Sequence, residues 1–196
     1  MADAASPQPI VAVAATSTSA LDELDLDGVL LVLDRVRDPG NLGAVLRVAE
    51  AAGLRAVVLS GDSTDPFGPK ALRASTGSAF RLPIVEVPAL GALVGELQER
   101  SLRVFATSSH SGSDFAHVDW PDRCAIVLGN ESAGLGDEDR RACDETLRIP
   151  IAAAVESLNL SVAAGILAMA SVRRLQAPGP FPGGSTMQPM PGTETR

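Results

Sequence analysis

The sequence has no tyrosine, a single tryptophan and five phenylalanines, so a core of this size has to be assembled from Ala, Val and Leu. Cysteine is equally scarce. Cys124 and Cys143 form no C-x-x-C pair and have no histidine pair nearby, which argues against a zinc site or a disulfide framework and leaves two reduced thiols. His110 and His117 lie in a Ser/Gly-rich stretch without metal-ligand spacing and read as surface residues, so no metal is expected. No apolar run approaches the roughly 18 residues that a membrane helix needs. The small-residue stretch at residues 9–15 lacks a basic leader, and a cytoplasmic location is expected. Three common catalytic signatures are also missing. No G-x-G-x-x-G follows a strand-like run, and Leu135 and Gly136 stand where a phosphate loop needs Lys and Ser/Thr. No G-x-S-x-G surrounds Ser108-Ser109-His110, which excludes a nucleophile elbow.

Charge of one sign is in deficit too. Sixteen Lys and Arg face twenty-four Asp and Glu, a net charge of −8 that opposes nucleic acid on the global balance. Placement qualifies this. Arg35, Arg37, Arg47, Lys70, Arg73 and Arg81 concentrate in the first half, while the acidic excess gathers at residues 22–27, 96–99 and 137–145.

Short apolar runs occur at residues 30–33, 56–59, 84–87, 104–106, 125–128 and 147–149. Continuous apolar runs mark strands buried on both faces. Helical patterns at 41–52, 89–99, 137–143 and 158–175 alternate with them, which predicts an α/β fold: a mostly parallel sheet with helices on both faces. Within residues 41–52, Leu42, Val45, Leu46, Ala49 and Ala52 share one helical face and Arg47 and Glu50 point away from it. The turn 38–41 offers an N-cap and Gly53 a stop. Residues 10–13 have strand character, and residues 177–196 read as a disordered tail rich in Pro, Gly, Ser and Thr.

Three segments suit chemistry. The loop 33–43 joins a strand to a helix, the position where open α/β sheets bind ligands. Arg47, one turn into that helix, either serves such a site or is a plain solvated arginine. Residues 128–136 form a Gly-rich loop after another buried strand, either a ligand loop or an ordinary turn. Residues 149–161 lead from a strand end into a nearly all-apolar helix, with Ser157 as a good N-cap. Asn159 and Ser161 are costly so close to a buried helix unless they bind something; a ligand turn and a capping network both fit.

Taken in order, these segments resemble the three motifs of the SpoU (TrmH-like) family of SPOUT methyltransferases. Motif one resembles LLVLDRVRDPGNLGAVLRVAEAAG, with Asn41 and Arg47; motif two resembles AIVLGNESAGL, with Asn130 and Glu131; motif three resembles IPIAAAVESLNLSVAAGILAMA, with Ser157 and Asn159. Residues 70–83 follow the family pattern as well. The resemblance implies a SPOUT domain over 28–176 with a C-terminal trefoil knot, an exception to the rule against knots. It implies a homodimer, S-adenosylmethionine as cofactor, and transfer of a methyl group to a ribose 2′-hydroxyl of structured RNA, 23S rRNA before tRNA. The non-catalytic alternative is a SPOUT module that only binds RNA or a partner. By resemblance the cofactor is held around Thr107, Leu128, Gly129, Asn130, Ile149, Ser157, Leu158 and Asn159. Arg47, Asn41 and Glu131 carry catalysis, and Arg73 contacts RNA phosphate. A guanidinium ordinarily keeps its proton, so orientation and charge stabilisation suit Arg47 better than proton abstraction. Residues 1–27 resemble the end of an RNA-binding domain that precedes this segment in two-domain relatives and is missing here. Both a truncated start and a minimal enzyme fit that reading. Pro9 replaces a usual Gly, and Ala170 a frequent Glu.

Overall fold

The computed structural model describes residues 18–172 together with residues 13, 15 and 16. The strand-like residues 10–12 and the tail at 177–196 lie outside that range. Among the described residues seven strands alternate with five helices: β1 (Val29–Asp34), α1 (Pro39–Ala52), β2 (Ala56–Ser60), α2 (Pro69–Ser75), β3 (Ile84–Val87), α3 (Leu90–Glu99), β4 (Arg103–Thr107), β5 (Ser113–Asp114), β6 (Cys124–Leu128), α4 (Asp137–Ala142), β7 (Glu145–Arg148) and α5 (Leu160–Val172). Short 3-10 turns occupy Leu21–Glu23, Ser78–Phe80 and Phe115–His117. The sheet order is β3-β2-β1-β6-β4-β7-β5, and every strand pairing in it is parallel.

Alternate strand residues divide the interior into two layers, as the period of two requires. Leu31, Leu33, Val57, Phe105 and Ile126 point to the side covered by α1 and α5. Leu30, Val32, Val58, Val104 and Val127 point to the side covered by α3. β1 and β6, at the centre, are buried along their full lengths, which is why they are uninterrupted apolar runs in the sequence. Leu21 and Leu26, ahead of β1, pack into the α3 layer. Burial pushes the Cys124 thiol up to about 12 and the Cys143 thiol up to about 11, so both stay protonated near neutral pH.

Two local expectations need correction. α5 begins at Leu160, so Ser157 lies outside it and Asn159 fills the capping position: its Oδ1 accepts from the Ser161 amide at 2.9 Å and from the Ser161 hydroxyl at 2.7 Å. β7 closes at Arg148, leaving Ile149 in the loop that follows.

α1 is fixed from both ends. Asp38 caps it by accepting from the Asn41 amide at 2.8 Å, Pro39 fills the first turn, and Gly53 adopts φ 75° to end it. Its neighbour α2 approaches unusually closely. A Cβ added to Gly43 would lie 2.4 Å from the Ala71 carbonyl oxygen and 2.6 Å from Ala74 Cβ, so only glycine fits there.

Candidate active site

The carboxyl ends of β4, β6 and β7 open into one cavity of about 300 Å³, floored by α5. This is where an open α/β sheet binds ligands, because the loops leaving parallel strands converge there. Thr107 lines it from the end of β4, its hydroxyl donating to the Val127 carbonyl at 2.9 Å. Leu128, Gly129, Asn130 and Glu131 line it from the loop after β6, and Ile149, Ser157 and Leu158 from the loop entering α5. The apolar part of the wall is completed by Leu147, Leu160, Ala163 and Leu167.

The loop after β6 takes its shape from one side chain. Asn130 Oδ1 accepts from the amides of Ser132 and Ala133 at 2.9 and 3.1 Å, and the Gly134 amide returns to the Asn130 carbonyl at 2.8 Å. Asn130 Nδ2 donates to the Arg35 carbonyl at 2.8 Å, tying this loop to the one after β1. Arg35 is itself held in the left-handed region at φ 53°; its guanidinium donates to the buried Asp34 at 2.7 Å, and that bond holds it above the usual arginine range. The Asn130 side chain is thus committed within the protein, and what faces the cavity is loop backbone. Gly129 is the close approach that allows this, since a Cβ there would sit 2.3 Å from the Gly134 carbonyl carbon.

At the rim, a hydrogen-bonded chain joins the three motif segments. Glu131 accepts from Asn41 Nδ2 at 3.3 Å and from the Arg37 and Asp38 amides at 3.4 Å each. Asn41 Oδ1 in turn accepts from Asn159 Nδ2 at 3.0 Å. Asn159 therefore does not line the cavity; its amide is spent on Asn41 and on capping α5.

Arg47 and Arg73 also lie outside the cavity lining. Arg47 is exposed on α1 and Arg73 on α2, and neither side chain has an ion pair or hydrogen bond among the described residues. The other four cations of the early cluster are committed. Arg35 pairs with Asp34, Arg37 with Asp62, Lys70 with Asp38 and Arg81 with Glu50. Lys70 and the Asn41 amide hold the Asp38 carboxyl below the usual range. Sequence reasoning missed Ser108, His110, Arg140 and Glu156, all of which line the cavity. The signal for the first two was their place just after a buried strand. His110 and His117 are both exposed, as expected, and His110 also borders the cavity.

The SpoU rRNA methylase family profile matches residues 28–169, which contain all three segments joined at this rim. The chain belongs to the SpoU family. It is 40% identical to a 23S rRNA (guanosine-2′-O-)-methyltransferase of Ralstonia nicotianae, over 79% of this chain and 64% of that protein. It is 33% identical to a 23S rRNA (uridine(2479)-2′-O)-methyltransferase of Streptomyces viridochromogenes, over 86% of this chain and 61% of that protein. The crystal structure of an AdoMet-bound rRNA methyltransferase from Sinorhizobium meliloti superposes with a TM-score of 0.76 at 35% identity, covering 82% of this chain and 62% of that one. The chain therefore spans less than two thirds of the length of each of these SpoU relatives.

Proposed function

We propose that this SpoU chain binds S-adenosylmethionine in the cavity and transfers its methyl group to a ribose 2′-hydroxyl of RNA, with 23S rRNA as the first candidate and tRNA as the second. The observation that carries the reading is the chain of hydrogen bonds from Glu131 through Asn41 to Asn159. It couples the cavity wall to the helix that bears an uncommitted arginine.

The cavity suits the cofactor. Its volume lies at the lower end of small-molecule sites, and its wall mixes aliphatic side chains with loop backbone, as an adenine slot requires. Two carboxylates, Glu131 and Glu156, face it against one cation, Arg140, which itself pairs with Asp137. That balance favours a ligand carrying positive charge. In this reading Leu128, Ile149 and Leu158 enclose the base, while Thr107, Ser157 and the backbone of Gly129 and Asn130 supply polar contacts. The bound cofactor supplies a methyl group already activated on a sulfonium.

The protein's task is the acceptor. A ribose hydroxyl is a weak nucleophile until it is aligned and its proton leaves. Arg47 orients that hydroxyl and offsets the negative charge growing on its oxygen, a role open to a guanidinium with no carboxylate partner. Asn41 and Glu131 fix the start of α1, and so the direction from which Arg47 reaches. Arg73 takes an RNA phosphate.

The same reading includes a homodimer. α5 has no charged residue, and it leaves Val162 49% and Met169 47% exposed on its outer side. A helix apolar all round requires cover on both sides. It also includes a domain over 28–176 whose last helix threads a knot, and a cytoplasmic location. Among the described residues no helix is long and apolar enough to cross a membrane.

The test is incubation of the purified chain with methyl-tritiated cofactor and rRNA or tRNA, followed by mapping of ribose methylation. Incorporation at a 2′-oxygen is expected. Cofactor and RNA binding without incorporation would instead assign a binding module.

A further inference from the structure

Phe80 is the most exposed aromatic ring among the described residues, at 58%, while Phe105 and Trp120 are buried and Phe67 and Phe115 half-buried. A single exposed apolar side chain is ordinary by itself, so what counts is how this ring is held and what lies around it. The ring is not on a loose segment. It packs at a tilt against Phe67, with centroids 6.3 Å apart. The Phe80 amide donates to the Gly77 carbonyl at 3.1 Å. The next residue, Arg81, clamps Glu50 of α1 through a bidentate pair, its Nη2 donating at 2.8 Å.

That clamp locates the ring relative to the site. Gly43, Arg47 and Glu50 recur at helical spacing and share one stripe of α1. Gly43 abuts α2 and Glu50 holds the turn that carries Phe80, so Arg47 stands between these contacts on the same edge. Arg73 sits in the last turn of α2, in the same block. The one largely exposed ring among the described residues therefore shares a surface with the two arginines of the early cluster that lack a carboxylate.

The surroundings decide what the ring meets. A protein-docking patch needs contiguous apolar surface. Phe80 instead sits in a turn packed on α1 and α2, with exposed Arg73 and Thr76 ahead of it in the sequence and Arg81 after it. Among the described residues from β1 onward the other large exposed apolar side chains, Val155, Val162 and Met169, belong to α5 and the loop before it. A rigid ring on a surface with guanidiniums that lack a carboxylate, here Arg47 and Arg73, is the pattern that receives unpaired nucleotides: the ring stacks on a base and the cations take phosphates. Stacking requires a base out of its helix, as in loops and bulges.

We propose that Phe80 is a stacking platform for one unpaired base of the RNA, adjoining the ribose served by Arg47, with Arg73 on a neighbouring phosphate. The proposal rests on the RNA-methyltransferase reading and adds a requirement to it. The target must present an unstacked nucleotide beside the methylated one, recognised by its face and without regard to base identity.

The test uses this chain, its Phe80→Ala and Phe80→Trp variants, in-vitro-transcribed 23S rRNA and a short single-stranded oligouridylate at low salt. Phe80→Ala is expected to weaken RNA binding about tenfold, raising the KM for RNA while the KM for cofactor stays unchanged. Phe80→Trp is expected to keep wild-type affinity, and its added indole to be quenched by oligouridylate. Equal RNA affinity in wild type and Phe80→Ala overturns the proposal and leaves the methyltransferase reading intact. A change in sedimentation without a change in RNA affinity overturns it in favour of a protein contact. Failure of the wild type itself to bind either RNA removes the methyltransferase reading and this proposal together.

Discussion

α1 and α5 lie side by side on the same face of the sheet and turn opposite characters outward. Each buries an apolar stripe against β1 and its neighbours. Beyond that stripe α1 carries Asn41, Arg47 and Glu50, whereas α5 carries Val162, Ile166 and Met169. Two helices in one layer thus carry different obligations. One outer edge is polar and charged, the other apolar. The amphipathic pattern of α1 is complete within this chain, and that of α5 is complete only when something covers it.

The largest expected effect breaks the α1 side of that contrast. Arg47→Ala should lower kcat on the order of a hundred- to a thousandfold, with cofactor affinity measured by calorimetry unchanged. Full activity in that variant would remove the chemistry from α1. Next comes the seam that holds α1 against α2. Gly43→Val should cost about 2–3 kcal/mol in chemical denaturation, because the new side chain meets backbone that cannot yield. On the α5 side, the proposed homodimer predicts that Met169→Glu shifts association toward monomer by at least about tenfold in dissociation constant, since a charge would be buried without a partner. Sedimentation equilibrium reads this directly, and an unchanged dimer would mean that this edge faces water after all.

The smallest effect lies at the Glu50–Arg81 clamp. Arg81, joined by the Ser78 hydroxyl, holds the Glu50 carboxyl at about 2, below its ordinary 4.5. A depressed carboxyl stabilises the fold above its unfolded value and loses that contribution as pH falls through the folded one. The melting temperature of the wild type should therefore exceed that of Glu50→Gln above about pH 4.5. The gap should close toward pH 2 and shrink with added salt, because the pair is solvent-exposed.

The sheet was legible in the sequence because its central strands are buried on both faces, and a short, uninterrupted apolar run fits a doubly covered strand better than any amphipathic element. α1 was legible for the opposite reason: its period, its cap and its stop agree. α2 was not assigned from periodicity, since seven residues with a lysine, an arginine and three small side chains leave too short a pattern. β5, with two residues at the sheet edge, leaves none. The start of α5 shows where composition runs out. Ser157 and Asn159 are both good caps two positions apart, and the choice between them is made by a contact with Asn41, 118 residues away. The cavity followed from strand ends. Its link to Arg47 through Asn41 and Asn159 did not, because amide–amide bonds between distant loops leave no local pattern.

The loop after β6 has one more consequence. Asn130 spends every polar atom of its side chain on shaping that loop and fastening it to Arg35, so the wall facing the cavity is set before anything enters. A ligand that meets a finished wall loses little of its binding energy to ordering backbone. Calorimetry of cofactor binding should accordingly show a modest entropic penalty. Asn130→Ala should enlarge that penalty, converting a rigid receptor into one that must fold around its guest.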